Sequence, residues 1–286
     1  RLRALDATAH VFAYLDDVVV VVPARIAEQA AAIVEEGLQT SGLQVNDKTK
    51  AWVREPSVAL PASLAQRRVA SLGLLGAEVP WLDREGGELD APVQASSDGG
   101  TALASCRSLA QRVEQLREAG LSLMAGFQVL RSFSQSSVTH LQRANFEGQA
   151  WVDQLDGELS ASLDRLLGGD ATTPQQRELA SYRLADGGLA FGGVRRRSAA
   201  AFLASWALCL EDVAKLLGVS TIEGFRSRCP RVWTSVCEAE RELLLLGANG
   251  SRPLPWHDYL RASTPKQQSL WSKEIGIVRR KALLVT

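Results

Sequence analysis

Two hydrophobic rhythms run along this chain. Residues 10–22, His-Val-Phe-Ala-Tyr-Leu-Asp-Asp-Val-Val-Val-Val-Val, set β-branched and aromatic side chains on both sides of two aspartates. Such runs, broken by a short polar pair, predict strand, tight turn, strand. Pro23 ends the second run and suits the first turn of a helix. From Ala24 a helix is predicted, with Ile26, Ala30, Ile33, Val34 and Leu38 recurring on one face. Gly42 sits where a C-terminal cap is expected. Leu43 to Val53 predicts a third strand, and Val69 to Val79 a further short apolar stretch ending at Pro80. The front of the chain therefore reads as α+β: a hairpin, a helix packed on it, and one or two more strands.

From Asp83 to Thr101 the pattern gives way to Gly86, Gly87, Pro92, Ser96, Ser97, Asp98, Gly99 and Gly100, which predicts a linker or exposed loop. Beyond it the helical rhythm dominates. Leu109, Val113 and Leu116 form one stripe; Val152, Leu155, Leu159, Leu163 and Leu166 form another. Ala199–Leu217 and Val232–Leu246 predict two more helices. The glycine-rich run 185–193 cannot sit cheaply in a helix interior, at roughly 1 kcal/mol per glycine against alanine. It predicts a structured turn, and it lacks the strand and spacing of a dinucleotide-binding fingerprint. The expected organisation is 1–82, a connector at 83–101, and a helical part at 102–286.

Composition narrows the class. Apolar residues make up 46% and charged residues 22% of 286 positions, values of a folded globular chain. No apolar run approaches the roughly 20 residues of a membrane-spanning helix. The chain opens on Arg1 without a basic-then-apolar leader, so a fragment or processed product is expected and nothing marks it for secretion. Four cysteines without a Cys-x-x-Cys pair fit a reducing compartment. Net charge is zero, but residues 1–100 carry 9 basic and 14 acidic side chains, leaving the excess of basic ones to the remainder. Chance, or carboxylates in front and a phosphate-gripping surface behind, would each produce this asymmetry.

Asp16 and Asp17 are the strongest chemical signal. A two-residue hairpin turn prefers Asn-Gly or Asp-Gly, so adjacent aspartates are a poor turn and repel each other. Either the turn is merely solvated, or a divalent cation favours the pair. Mg²⁺ takes one or two carboxylates plus substrate phosphates. Two such ions, about 4 Å apart, can activate a 3′-hydroxyl and stabilise a leaving pyrophosphate. Arg195-Arg196-Arg197, directly after the glycine-rich turn, reads either as a solvated helix start or as a contact to backbone phosphate. Trp151 and Trp206 lie on apolar stripes and are expected in the core.

Tyr14-Leu15-Asp16-Asp17 between apolar strands resembles the Tyr-x-Asp-Asp box of reverse transcriptases. The segment Gly42-Leu-Gln-Val-Asn-Asp-Lys-Thr-Lys50 resembles the Gly-Leu-x-apolar-Asn…Lys-Thr segment of non-long-terminal-repeat retrotransposon polymerases. Leu75-Gly76-Ala77 is similar to the turn of their primer-gripping hairpin. Leu130-Arg131, His140-Leu-Gln-Arg143, Trp151 and Gly187-Gly-Leu189 follow in the order of their C-terminal region. The resemblance implies an RNA-directed DNA polymerase that extends a DNA primer on an RNA template from deoxynucleoside triphosphates, with Mg²⁺ or Mn²⁺. It implies that Asp16 and Asp17 are palm carboxylates, the first ligating metal directly. It implies a lysine near the triphosphate, Lys48 or Lys50, whose residue-level alternative is a charged strand face. Tyr14 would lie beside the primer terminus, and Arg131, Arg143 and Arg195 to Arg197 would hold nucleic acid. A nuclear location is implied by the family alone.

The same resemblance exposes what is missing. A polymerase site needs a third carboxylate from an earlier strand and a basic fingers region. The sequence before Asp16 is too short for either, and Asp6, the one earlier acid, lacks the family's flanking pattern. The expected fold is thus a truncated palm followed by a helical thumb and extension, catalytically inert alone. A non-catalytic nucleic-acid-binding or helical interaction remnant of such an element is the alternative, and an unrelated helical scaffold a third.

Overall fold

The computed structural model describes residues 1–14, 17–44, 48–53, 59–60, 62–69, 72–74, 77–79, 97–144, 146, 150–169, 171–248 and 267–283. It is mostly helical, with a small antiparallel hairpin, and so α+β in the broad sense. Spatial clustering divides it into two units: 1–74 with 78–93, and 94–286 with 75–77.

In the first unit, α1 (Leu2–Leu5) leads to β1 (His10–Tyr14) and β2 (Asp17–Val21). The strands pair antiparallel from His10 opposite Val21 to Tyr14 opposite Asp17, as the valine-rich pattern predicts. A 3-10 turn (Ala24–Ile26) follows Pro23 and runs into α2 (Ala27–Thr40). The predicted cap holds: Gly42 N donates to Gln39 O, and Leu43 N to Leu38 O at 2.8 Å. Ala9, Ile26, Ala27 and Ala30 are buried, and Asp6 accepts from Thr8 N at 2.8 Å and pairs with Arg25.

Two expectations need correcting. The hairpin is less covered than a helix packed on it would leave it. Val11, Phe12, Val18 and Val21 keep 46–51% of their surface exposed. One amphipathic helix covers at most one face of a sheet, and this hairpin is apolar on both. Nor is there a third strand among the described residues of 43–53. Ala51 makes one isolated parallel bridge to Arg68, because an extended segment becomes a strand only along a partner edge. Beyond the short helix α3 (Ala62–Ala65), β3 (Leu72–Leu74) and β4 (Ala77–Val79) pair with each other. The Leu75-Gly76 turn lies outside the described residues.

The expected connector at 83–101 ends earlier than its composition implies: α4 (Ser97–Glu118) already includes Ser97 to Gly100. Ser and Asp mark a helix start as readily as a linker. Apolar spacing from Ala102 through Leu103, Cys106, Ala110 and Val113, all buried, carries the helix forward.

The second unit continues with α5 (Leu123–Ala144), α6 (Ala150–Leu166), α7 (Pro174–Ser181), α8 (Val194–Leu217), α9 (Ile222–Arg228), α10 (Pro230–Leu245) and α11 (Gln267–Leu283). The predicted stripe Val152, Leu155, Leu159, Leu163, Leu166 is buried throughout and packs with α4, α5, Phe191 and Val194. A second cluster gathers Ala199, Ala200, Phe202 and Leu203 of α8 with Val236, Ala239 and Leu243 of α10 and Trp271 and Ile275 of α11. A third joins Ala207 and Leu210 to Phe225 of α9. Helix α8 runs through all three. Six consecutive residues, Ser198 to Leu203, are each at most 2% exposed. At 100° per residue that buries the helix on every side. The predicted roles of Trp151 and Trp206 hold: each packs against a cluster.

The glycine-rich turn places α8. A 3-10 turn (Leu184–Asp186) ends in the turn, and the chain folds back on α7. Leu189 N and Phe191 N both donate to Ala180 O, and Ala190 N donates to Tyr182 O at 2.7 Å. Gly188 is pressed against this backbone: a Cβ there would meet the carbonyl oxygen of Tyr182 and lie 2.6 Å from that of Leu179. Gly193 precedes α8 with φ of 66°, a left-handed conformation that favours glycine.

Gly188→Ala should therefore destabilise by about 3 kcal/mol or more, since backbone cannot yield. Gly187→Ala, left-handed but in open space, should cost about 1 kcal/mol. Urea titration of both variants checks the order, which would reverse if strain rather than close approach governed the turn.

Candidate functional site

Strand pairing puts Tyr14 opposite Asp17 at the closed end of the hairpin. Leu15 and Asp16, between them in sequence, lie outside the described residues. The donors offered here are carboxylate oxygens only, a set that suits Mg²⁺ or Mn²⁺ rather than a thiophilic metal. Among the described residues no group of three or more His, Cys, Asp or Glu gathers to hold a metal ion.

Lys48 and Lys50 are both exposed in irregular backbone after α2, so neither lies on the charged strand face considered above. Arg131 is half-buried on α5 and Arg143 is exposed near its end. Twelve residues apart, they point about 120° from each other around the helix and do not form one stripe.

Arg195, Arg196 and Arg197 open α8, where their guanidinium groups serve the fold. Arg195 Nε donates to Glu242 Oε1 and its Nη1 to Asp153 Oδ2, each at 3.0 Å. Arg196 donates to Ser181 Oγ at 2.6 Å and pairs with Glu178. Arg197 donates to the carbonyl of Gly192 at 3.0 Å. Neither a merely solvated helix start nor a free phosphate grip describes this arrangement: these arginines tie α8 to α6, α7 and α10. Burial pushes the Arg196 and Arg197 guanidinium groups below their usual range, while the hydrogen bond to Glu242 raises Arg195. All three remain cationic at any ordinary pH.

The sequence reading missed the side chains that receive the backbone and the arginines at this helix start. Asp156 of α6 accepts from Val194 N at 2.8 Å and from Arg195 N at 3.0 Å, capping α8 from a distant helix. Gln142 of α5, buried, donates to Val194 O and Ser198 Oγ, both at 2.8 Å. Glu178 of α7 receives Arg196, Arg279 Nε at 2.8 Å and the Tyr182 hydroxyl at 3.0 Å. A signal was present: Asp156 sits beside the apolar stripe, one turn on from Val152, where an acid needs a partner.

Replacing Asp156 with Ala should cost about 1–2 kcal/mol through the lost cap, read as a lower urea midpoint. Burial first, and the Glu178 hydrogen bond second, push the Tyr182 phenol up to about 12. A raised native value contributes stability present below the unfolded value near 10 and lost as pH rises through the native one. Stability should thus decline between about pH 10 and 12, and Tyr182→Phe should flatten that decline in melting curves taken across the window.

Comparison with family models, with curated proteins and with solved structures finds no match for this chain in any of the three.

Proposed function

We propose that this chain is part of an RNA-directed DNA polymerase of the non-long-terminal-repeat retroelement type: the end of a palm, then a thumb-like helical region and its extension. The observation that carries the reading is the strand register. It pairs Tyr14 with Asp17 across an antiparallel hairpin, and in sequence these two positions bound Tyr-Leu-Asp-Asp, a box whose chemistry belongs to such a hairpin. Asp16 and Asp17 would hold Mg²⁺ or Mn²⁺, which supplies charge neutralisation and an activated 3′-hydroxyl for nucleotidyl transfer. Tyr14 would lie beside the primer terminus, and Lys48 or Lys50 would reach toward the triphosphate. On this reading nucleotidyl transfer needs a third carboxylate and a fingers region in addition to these residues.

A second reading, a non-catalytic helical interaction module derived from such an element, is favoured by the internal use of Arg195 to Arg197. It keeps the fold and drops the chemistry. Primer extension on an RNA template separates the two, run on this chain and on one extended upstream through a complete palm. Extension by the longer chain only, falling at least about 100-fold on Asp16→Asn, is the expected outcome. Activity that survives Asp16→Asn would place the chemistry elsewhere, and an inactive longer chain would favour the interaction module.

A further inference from the structure

One surface of the helical unit carries more positive charge than its own carboxylates balance. Asp186, at the end of the 3-10 turn, accepts from Arg183 Nε at 2.6 Å and Nη2 at 3.1 Å. Its acidity is increased by that hydrogen bond and, from α11, by the nearby charges of Arg280 and Lys273. Helix α11 passes close: a Cβ on Gly276 would lie 3.7 Å from Asp186 Oδ2. Lys273, Gly276, Ile277 and Arg280 follow the i, i+3, i+4, i+7 spacing of one helical stripe. Lys273, Ile277 and Arg280 are exposed.

Next to Asp186, Glu178 already serves Arg196 and Arg279. Five cations, Arg183, Arg196, Lys273, Arg279 and Arg280, thus meet two carboxylates, Glu178 and Asp186. The start of α8 adds Arg195 and Arg197 against Asp153, Asp156 and Glu242, and α11 adds Lys281 against Glu274. Among these described residues two positive charges remain, and the exposed Lys273 and Arg280 stand in line along α11. A row of exposed cations at helical spacing complements a row of phosphates and gives salt-dependent affinity.

We propose that Lys273 and Arg280, with Arg183 beside them, form a surface on α11 and the 184–186 turn that grips the phosphate backbone of a primer–template duplex. This rests on the nucleic-acid reading above and relocates the grip from the α8 arginines to the C-terminal helix. The Glu178–Arg279 pair ties α11 to α7, and the Arg183–Asp186 pair braces the turn itself, so the phosphate-facing charges sit on a fixed base.

The test is fluorescence anisotropy of a labelled RNA–DNA duplex with the full chain, across a salt series. The variant is Lys273→Gln/Arg280→Gln. The control is Arg112→Gln, an exposed arginine on α4. Binding by the double variant should be about tenfold weaker near 0.1 M salt, with a log–log salt slope shallower by about two. The control should bind as the parent does, and melting curves should coincide for all three. A parent that binds and a double variant that binds equally well would overturn this surface while leaving the nucleic-acid reading intact. A parent that fails to bind duplex would overturn that reading itself. Vesicles of phosphatidylserine and a polyglutamate peptide complete the set. Loss of binding to either by the double variant, with duplex binding unchanged, would assign the surface to a lipid or an acidic protein instead.

Discussion

A helix buried on every side must begin somewhere dry, and its first backbone N–H groups need acceptors there. That constraint governs the helical unit. Helix α8 is built for burial: Ala199, Ala200 and Ala201 let neighbouring helices come close, while Phe202 and Leu203 fill the space between. Its amino end cannot rely on water or a local side chain, since Gly193 precedes it. Asp156 supplies the acceptor from α6. A carboxylate there also meets the positive end of the helix dipole. The position of α8 is therefore set by a residue 38 positions earlier, and the helices that pack on α8 inherit that placement.

Around this cap the arginines act as struts. Each guanidinium presents several donors in a rigid plane, so one side chain can join two helices. Arg195 joins α8 to both α6 and α10; Glu178 gathers α7, α8 and α11. Half-buried pairs of this kind add little net stability, because desolvation offsets attraction. They select one arrangement among several that the alanine-rich interface would accept. Removal of one partner would leave a buried charge alone, a larger loss than the pair's own contribution.

Repeating apolar spacing made the regular elements legible. The stripe from Val152 to Leu166, the valine hairpin and the helices at 199–217 and 232–246 follow from periodicity alone. Helices α7 and α9 did not, because eight and seven residues are too few for a period to declare itself. The strand expected near Val53 failed because alternation describes a segment, whereas pairing requires an edge to be present. Asp16 and Asp17 stood out through their unsuitability for an ordinary two-residue turn, and Tyr14 only through the resemblance. Of the receiving carboxylates, Asp156 left a mark only in its place beside the apolar stripe, which names no partner, and Glu178 left none, since its partners lie in distant helices. The arginine run was seen without its partners: composition shows that cations are present, and only the fold shows what they face.

The hairpin has a consequence for how the chain behaves in bulk. Strands rich in valine, apolar on both faces and roughly half exposed, are the kind of segment that stacks onto copies of itself. Aspartates beside such a run act as gatekeepers, because stacked copies would bring like charges into register. The pair at 16–17 is thus also a colloidal safeguard. A chain stripped of these two charges would lose solubility along with any metal affinity, by a route that has nothing to do with catalysis.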